Sequence, residues 1–212
     1  MDDRVEHYAG LFEDAGDYYL DGLTVLVVRG TTVSEVVETL GAVPMAEVPA
    51  HEWESDELLW STYQLVAIEG GVLAIEGSGY ADPPNAVLQS LAVGGRASAV
   101  VRDNIKAHSR FGCAKDGELV FDCDEYVYLE DRSEVPDELC ELFDLAWVDL
   151  QEDEFDPEVD DPTAVGLAMA EVITGLRLTA EDATRLQEDD ATVVAVRTMQ
   201  YAEEWDQARA ID

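Results

Sequence analysis

The period of the hydrophobic positions changes along the chain, and this change predicts where strands and helices lie. The apolar run LTVLVVR predicts a buried strand, and the segments TYQLVAI and VLAIE predict a hairpin across Glu69-Gly70-Gly71. Strands are predicted at 23–29, 62–68, 72–76, 96–103, 105–114 and 118–124. Their short connections are typical of antiparallel pairing, which indicates a curved antiparallel sheet of about five or six strands.

Helical spacing of apolar residues marks both ends of the chain. Helices are predicted at 3–20, 33–40, 85–92, 137–147, 163–174 and 179–187. The fold class is therefore α+β, with helices from both chain ends packed on one face of the sheet. We expect a single domain over 1–187 that includes an acidic loop at about 149–161, followed by a C-terminal helical extension over 188–212. Val193, Val194 and Val196 leave a strand open as the alternative for that extension.

The turn Lys115-Asp116-Gly117 allows two registers for the hairpin that it closes. A two-residue turn would mix polar and apolar side chains on each face. A three-residue loop with Gly117 in the left-handed conformation keeps the faces separate, so we favour it. It places Phe111 opposite Phe121, Arg110 opposite Asp122, and His108 opposite Asp124.

Composition indicates a folded protein, because 47% of the residues are hydrophobic and four Trp, eight Tyr and five Phe are present. No apolar run is long enough to span a bilayer, and the N-terminus lacks the pattern of a signal peptide. These features predict a cytoplasmic protein without a membrane partner. The three cysteines have no CxxC spacing and are expected to be reduced thiols.

The charge is the strongest constraint on function. Twelve Lys and Arg stand against 48 Asp and Glu, a formal net charge of -36. Such a chain repels nucleic acid directly and attracts basic proteins. The sequence therefore predicts a non-catalytic acidic binding protein that neutralises or regulates a basic protein partner (a toxin, nuclease or nucleic-acid-binding protein), as an immunity protein or nucleic-acid mimic does. The alternative is that the fold is generic and its charge is an adaptation to a host whose proteins are acidic, such as a salt-loving one.

Acidic residues are concentrated between Ser133 and Leu176, where fourteen carboxylates occur without any Lys or Arg. Closely spaced carboxylates resemble a phosphate backbone, and aromatic residues among them can anchor an interface. A solvated face is the bland alternative, and a Ca²⁺ site without EF-hand spacing is the weakest one. The candidate partner-binding residues are Asp144, Trp147, Asp149, Glu152, Asp153, Glu154, Phe155, Asp156, Glu158, Asp160 and Asp161.

Basic residues are concentrated between Arg96 and Lys115. Strand alternation places several of them on one face, as a candidate anion-binding patch of Arg102, Lys106, His108 and Arg110. An enzyme or binder of an anionic metabolite, with His108 as acid or base, is the second functional hypothesis. Pairing of this patch with Asp122 and Asp124 inside the protein is the alternative. His51-Glu52 lacks a second histidine and no nucleotide-binding loop is present, so no catalytic residue, metal or cofactor is predicted.

Several segments together resemble an uncharacterised actinobacterial family, a domain of unknown function. They are the stretch from Val27 to Ala42, the segment LAVGGRA, the AHSRF motif before the Lys115-Asp116-Gly117 hairpin, and the late segment VITGLRLT. The resemblance covers roughly residues 20–180. It implies no reaction and no catalytic residues.

Overall fold

The protein is described by a computed structural model over residues 2–9, 11, 22–54, 59–104, 109–129, 131–146, 162–188 and 191–198. Within these ranges, eight strands form one open antiparallel sheet in the order β2-β8-β3-β4-β1-β5-β6-β7. The strands are β1 Gly22–Arg29, β2 Val43–Pro44, β3 Trp60–Ile68, β4 Gly71–Glu76, β5 Ala97–Asn104, β6 Arg110–Lys115, β7 Glu118–Asp124 and β8 Thr192–Arg197. The α+β class is confirmed, with more strands than predicted.

Seven α-helices surround the sheet in the described part of the chain: α1 Asp3–Tyr8, α2 Val33–Thr39, α3 Ala50–Trp53, α4 Asn85–Leu91, α5 Cys140–Ala146, α6 Pro162–Thr174 and α7 Ala180–Arg185. The predicted start of α2 is confirmed, because Thr32 and Glu35 form a capping box there. The chain between α2 and β3 contains β2, a 3₁₀ helix at Met45–Glu47 and α3. Among the described helices, none is long and apolar enough to cross a membrane.

Helices cover both faces of the sheet, so the prediction of one covered face is wrong. On one face, alternate strand residues such as Val25 and Leu73 pack with α1, α5 and α6. On the other face, Leu26 and Val72 pack with α2 and α4. The physical reason lies in the central strands: Val25–Val28 of β1 and Val72–Ile75 of β4 are apolar at every position, so both of their faces need burial.

The C-terminal segment was expected to be a helical extension, but Thr192–Arg197 forms β8 inside the sheet. β8 pairs with β3 on one side and with the two-residue β2 on the other. Its buried side chains are Val194, Ala195 and Val196. The β-branched valines fit the pleated, half-buried surface better than a helix, and pairing with β3 decides between the two. Residues 199–212 lie outside the described part.

The β6–β7 hairpin corrects the predicted turn. Asp116 and Gly117 have φ values of 53° and 85°, and Lys115 pairs with Glu118, so the turn has two residues. The register then shifts between Cys113 and Ala114. This bulge restores the separation of the two faces, and Phe111 comes to lie opposite Cys123. The predicted faces are therefore confirmed, whereas the predicted cross-strand partners were wrong: Asp124 lies opposite Arg110, not opposite His108, and Asp122 lies opposite Gly112.

Candidate functional site

One register position of the sheet carries polar side chains through six neighbouring strands. Each residue is paired with the next across β3, β4, β1, β5, β6 and β7: Tyr63, Glu76, Thr24, Arg102, Arg110 and Asp124. The first five of these residues are buried, and Asp124 is exposed at the sheet edge. We call these six residues the polar row. Its members are far apart in sequence, and only the strand registers bring them together.

The connection between β4 and α4, residues 77–84, contacts the polar row at three places. The Tyr63 hydroxyl donates to the Ala81 carbonyl at 2.6 Å. Asp82 forms ion pairs with both arginines of the row, and the Gly79 amide donates to Glu76 at 2.7 Å. This connection therefore depends on the charges of the row for its position.

Arg110 uses its whole guanidinium group in these contacts. Nη1 donates to Asp82 Oδ1 at 2.5 Å and to the Pro83 carbonyl at 2.8 Å. Nη2 donates to Asn85 Oδ1 at 2.7 Å, and Nε donates to Asp122 Oδ1 at 2.8 Å. Burial opposes the charge of Arg110, but the carboxylates of Asp82 and Asp122 outweigh it and raise the Arg110 pKa.

Arg102 lies on the neighbouring strand and shares Asp82 with Arg110. Its Nη1 is 3.2 Å from Asp82 Oδ2, and its Nη2 is 3.5 Å from Asp124 Oδ1. Burial raises the pKa of Asp82, and the two guanidinium groups act against that shift. With Asp122, three carboxylates surround two guanidinium groups, so the positive charge of both arginines is matched within the protein.

These contacts bear directly on the candidate anion-binding patch. Only 6% of the Arg102 side chain and 7% of the Arg110 side chain are exposed. Their burial and their carboxylate partners agree with the alternative of internal pairing, because a matched guanidinium offers little charge to an external anion. Lys106 and His108, the other two residues of that patch, lie outside the described residues.

Glu76 occupies the other half of the polar row and is held by uncharged donors. The hydroxyls of Ser61 and Ser78 both donate to Oε1. The backbone amides of Ser78 and Gly79 donate to Oε1 and Oε2 at 3.1 and 2.7 Å. The residue is fully buried, and within the described ranges no ion pair reaches its carboxylate.

Two pockets flank the 77–84 connection. One has an internal volume of about 60 Å³ and lies between Tyr63, Asp82 and the apolar side chains of Leu40, Val87 and Val196. The other has an internal volume of about 230 Å³ and lies beside Glu76. In the part of the chain that the structure describes, no group of His, Cys, Asp and Glu is arranged to hold a metal ion.

The acidic surface is described only in part. Asp144 lies on α5 with 73% of its side chain exposed and forms an ion pair with Arg132. The other candidate partner-binding residues, from Trp147 to Asp161, lie outside the described residues. Further exposed acids lie close to Asp144 in the sequence. Together they are named the α5 acidic surface, which consists of Asp131, Glu134, Asp137, Glu138, Glu141 and Asp144.

Several residues of the polar row were not predicted as functional. Thr24 and Glu76 are polar residues at the two ends of apolar strands, and that break in pattern is the only signal that marks them. Asp82 stands before Pro83-Pro84, which indicates a turn and nothing about buried charge. Their partners become visible only when the strands are paired.

The fold and these contacts define an α+β protein with an antiparallel sheet covered on both faces and a buried polar row beneath one connection. The chain belongs to a family of unknown function, DUF6461, which matches residues 5–195. The predicted resemblance to an uncharacterised family is thereby confirmed. Neither the curated proteins nor the solved structures include a match to this chain.

Proposed function

We propose that this protein binds a basic protein without catalysing a reaction, in the manner of an immunity protein or a nucleic-acid mimic. The observation that carries this proposal is that the arginines of the chain bind carboxylates and carbonyls of the same chain. Seven arginines form ion pairs with carboxylates of the same chain: Arg4, Arg96, Arg102, Arg110, Arg132, Arg177 and Arg197. Two more, Arg29 and Arg185, donate to backbone carbonyls.

Internal use of the arginines leaves the acidic excess at the surface. A formal charge of -36 steers a basic partner towards the protein over distances of about a Debye length, roughly 10 Å at 0.1 M salt. The partner would then dock on the α5 acidic surface, which Leu142 and Phe143 hold against the core from below. A toxin, a nuclease or another nucleic-acid-binding protein has the surface charge that this requires.

Trp147 and Phe155 are proposed as apolar anchors within the same interface, together with Asp149, Glu152, Asp153, Glu154, Asp156, Glu158, Asp160 and Asp161. We also propose a cytoplasmic location. All three cysteines are free thiols, which suits a reducing compartment.

A comparison of two charge-matched variants tests this proposal. One variant carries Glu134→Gln, Glu138→Gln and Glu141→Gln on the α5 acidic surface. Its control carries Glu69→Gln, Glu118→Gln and Glu188→Gln, three exposed acids elsewhere. Each protein serves as bait for extracts of the native host at low salt, and retained proteins are eluted with a salt gradient and identified by mass spectrometry.

We expect the wild type and the control to retain one basic protein in stoichiometric amount and to release it as salt rises. The α5 variant should retain several-fold less of it, because three carboxylates of the docking surface are neutral. Equal retention by both variants would remove the α5 acidic surface from the proposal. If the charge is only an adaptation to a host whose proteins are acidic, no basic partner should be retained, and salt should change only the stability of the protein itself.

A further inference from the structure

The pocket beside Glu76 has a mixed wall, which is more polar than that of the pocket beside Asp82. It lies where β3 begins and β4 ends, and its internal volume is about 230 Å³. Its lining includes the polar residues Ser61, Thr62, Gln64 and Ser78 as well as the apolar Ile75. A volume of this size exceeds that of several water molecules at about 30 Å³ each, so it can hold a small organic group.

Glu76 differs from the buried Asp82 in its partners. Two arginines neutralise Asp82, whereas the donors to Glu76 in the described structure are two hydroxyls and two backbone amides. A buried carboxylate is costly when no opposite charge lies near it. The negative charge of Glu76 is therefore available to stabilise a cation that reaches the pocket wall.

The direction of the two serine hydroxyl bonds decides whether the pocket wall can donate or accept hydrogen bonds. Each serine hydroxyl has one proton, and Ser61 and Ser78 both direct theirs to Glu76. Their oxygens can therefore only accept hydrogen bonds from the pocket. Ser78 Oγ already accepts the Tyr80 amide at 3.3 Å, which leaves Ser61 Oγ as the principal acceptor.

We propose that this pocket binds a primary ammonium group, which donates to Ser61 Oγ and is stabilised by the charge of Glu76 behind it. An ammonium group has three donors and no acceptor, so it matches a wall whose hydroxyl oxygens only accept. The group comes from a free alkylamine or from a lysine side chain of another protein. A basic partner is one source of such a lysine, but ammonium binding does not depend on that partner.

The first probe is n-butylammonium, which corresponds to a lysine side chain without its backbone. Binding is followed by NMR at the Ser78 and Gly79 amides, since both donate to the Glu76 carboxylate. We expect saturable shifts of these two amides with n-butylammonium and no comparable shifts with 1-butanol, which has a similar shape without the charge.

Glu76→Gln is the decisive variant. The negative charge is gone, and the amide NH2 group of Gln cannot accept the Gly79 amide as the second carboxylate oxygen does. We expect its affinity for n-butylammonium to fall at least about tenfold, the range for a lost hydrogen bond to a charged group. Glu47→Gln removes one exposed carboxylate elsewhere and should bind like the wild type.

Ser61→Ala keeps the buried charge and removes the principal acceptor, so it decides the question if Glu76→Gln does not fold. It too should weaken binding about tenfold while leaving the fold unchanged. Shifts at Ser78 and Gly79 that persist undiminished in these variants would overturn the proposal, as would shifts no larger than those across the acidic surface. Titration with the N-acetyl, N-methylamide derivative of lysine then separates the sources. Binding of this derivative indicates a protein lysine, and its exclusion indicates a free amine.

Discussion

Asp82 accepts a hydrogen bond from Arg110 at 2.5 Å while its second carboxylate oxygen lies 3.2 Å from Arg102. One carboxylate thus bridges the guanidinium groups of two neighbouring strands. Because Asp82 belongs to the 77–84 connection, this contact joins that connection to β5 and β6. Asp82 therefore supplies both ion pairs of the connection, beside the hydrogen bonds that Ala81 and Gly79 make with the polar row.

Asp82→Asn should strongly destabilise the protein, because it leaves two buried guanidinium groups with less negative charge than they need. Removal of one partner from a buried ion pair costs about 3–5 kcal/mol. Urea unfolding measures the change in the free energy of unfolding. Asp137→Asn removes an exposed carboxylate and should change it by less than about 0.5 kcal/mol. Equal effects of the two variants would show that the bridge contributes nothing specific.

Cys113 should be protected from thiol reagents in the native protein. It is fully buried, and burial raises its pKa to about 12, so very little thiolate forms at pH 8. Alkylation at pH 8, followed by peptide mass spectrometry, should leave Cys113 unmodified in the native protein. The same treatment in urea should modify it fully. Rapid native labelling of Cys113 would contradict its position inside the sheet.

Glu35 makes the stability depend on pH in the acidic range. Its pKa is lowered to about 2, mainly by the Arg96 guanidinium and then by the Thr32 amide and hydroxyl. Because the folded pKa lies below the ordinary value of 4.5, the ionised carboxylate stabilises the fold above that value. This stabilisation is lost as the pH falls from about 4.5 towards 2.

Glu35→Gln should remove this contribution, so its stability should fall less than that of the wild type over the same pH range. Thermal unfolding between pH 5 and pH 2 measures the difference. Glu38→Gln, on the same helix, serves as the control and should keep the wild-type slope. A Glu35→Gln slope identical to that of the wild type would exclude a role for this carboxylate.

Gly166 allows α6 to approach β5. A Cβ atom at this position would lie 2.5 Å from Val101 Cγ1 and 3.1 Å from the Tyr126 hydroxyl. Gly166→Ala should therefore destabilise the protein by about 1–3 kcal/mol, as overpacking of a core does. Combining it with Val101→Ala removes the methyl groups that clash. The double variant should then be more stable than the sum of the two single changes predicts, as measured by urea unfolding in a double-mutant cycle.

Local sequence signals predicted much of the secondary structure, because each depends on residues close together in the chain. The apolar run from Leu23 to Val28 indicated β1, and the helical spacing of apolar residues over 33–40 indicated α2. The four consecutive apolar residues Val25–Val28 also contained the information that both faces of the sheet are covered, since alternate residues of a strand point to opposite faces. Asp116-Gly117 indicated the hairpin, but the bulge that restores its two faces depends on packing across strands.

The polar row could not be predicted, because its members share no local pattern. Thr24, Glu76 and Arg102 become neighbours only through the register of three strands. A shift of one strand by a single residue would reverse its faces and separate them. Long-range pairing likewise decided the conformation of the valine-rich segment at β8, whose local sequence was compatible with more than one structure.

The two-residue strand β2 ends the sheet at Pro44, and this has a consequence for association between molecules. An open sheet can extend by adding strands from other chains at its edges, which is a common route to aggregation. Proline has no amide hydrogen, so Pro44 cannot donate to an incoming strand. The same edge lies on a chain whose copies repel one another at a charge of -36 each. At the β2 edge, the missing amide hydrogen and the repulsion between equally charged chains therefore both oppose the addition of a strand from another molecule.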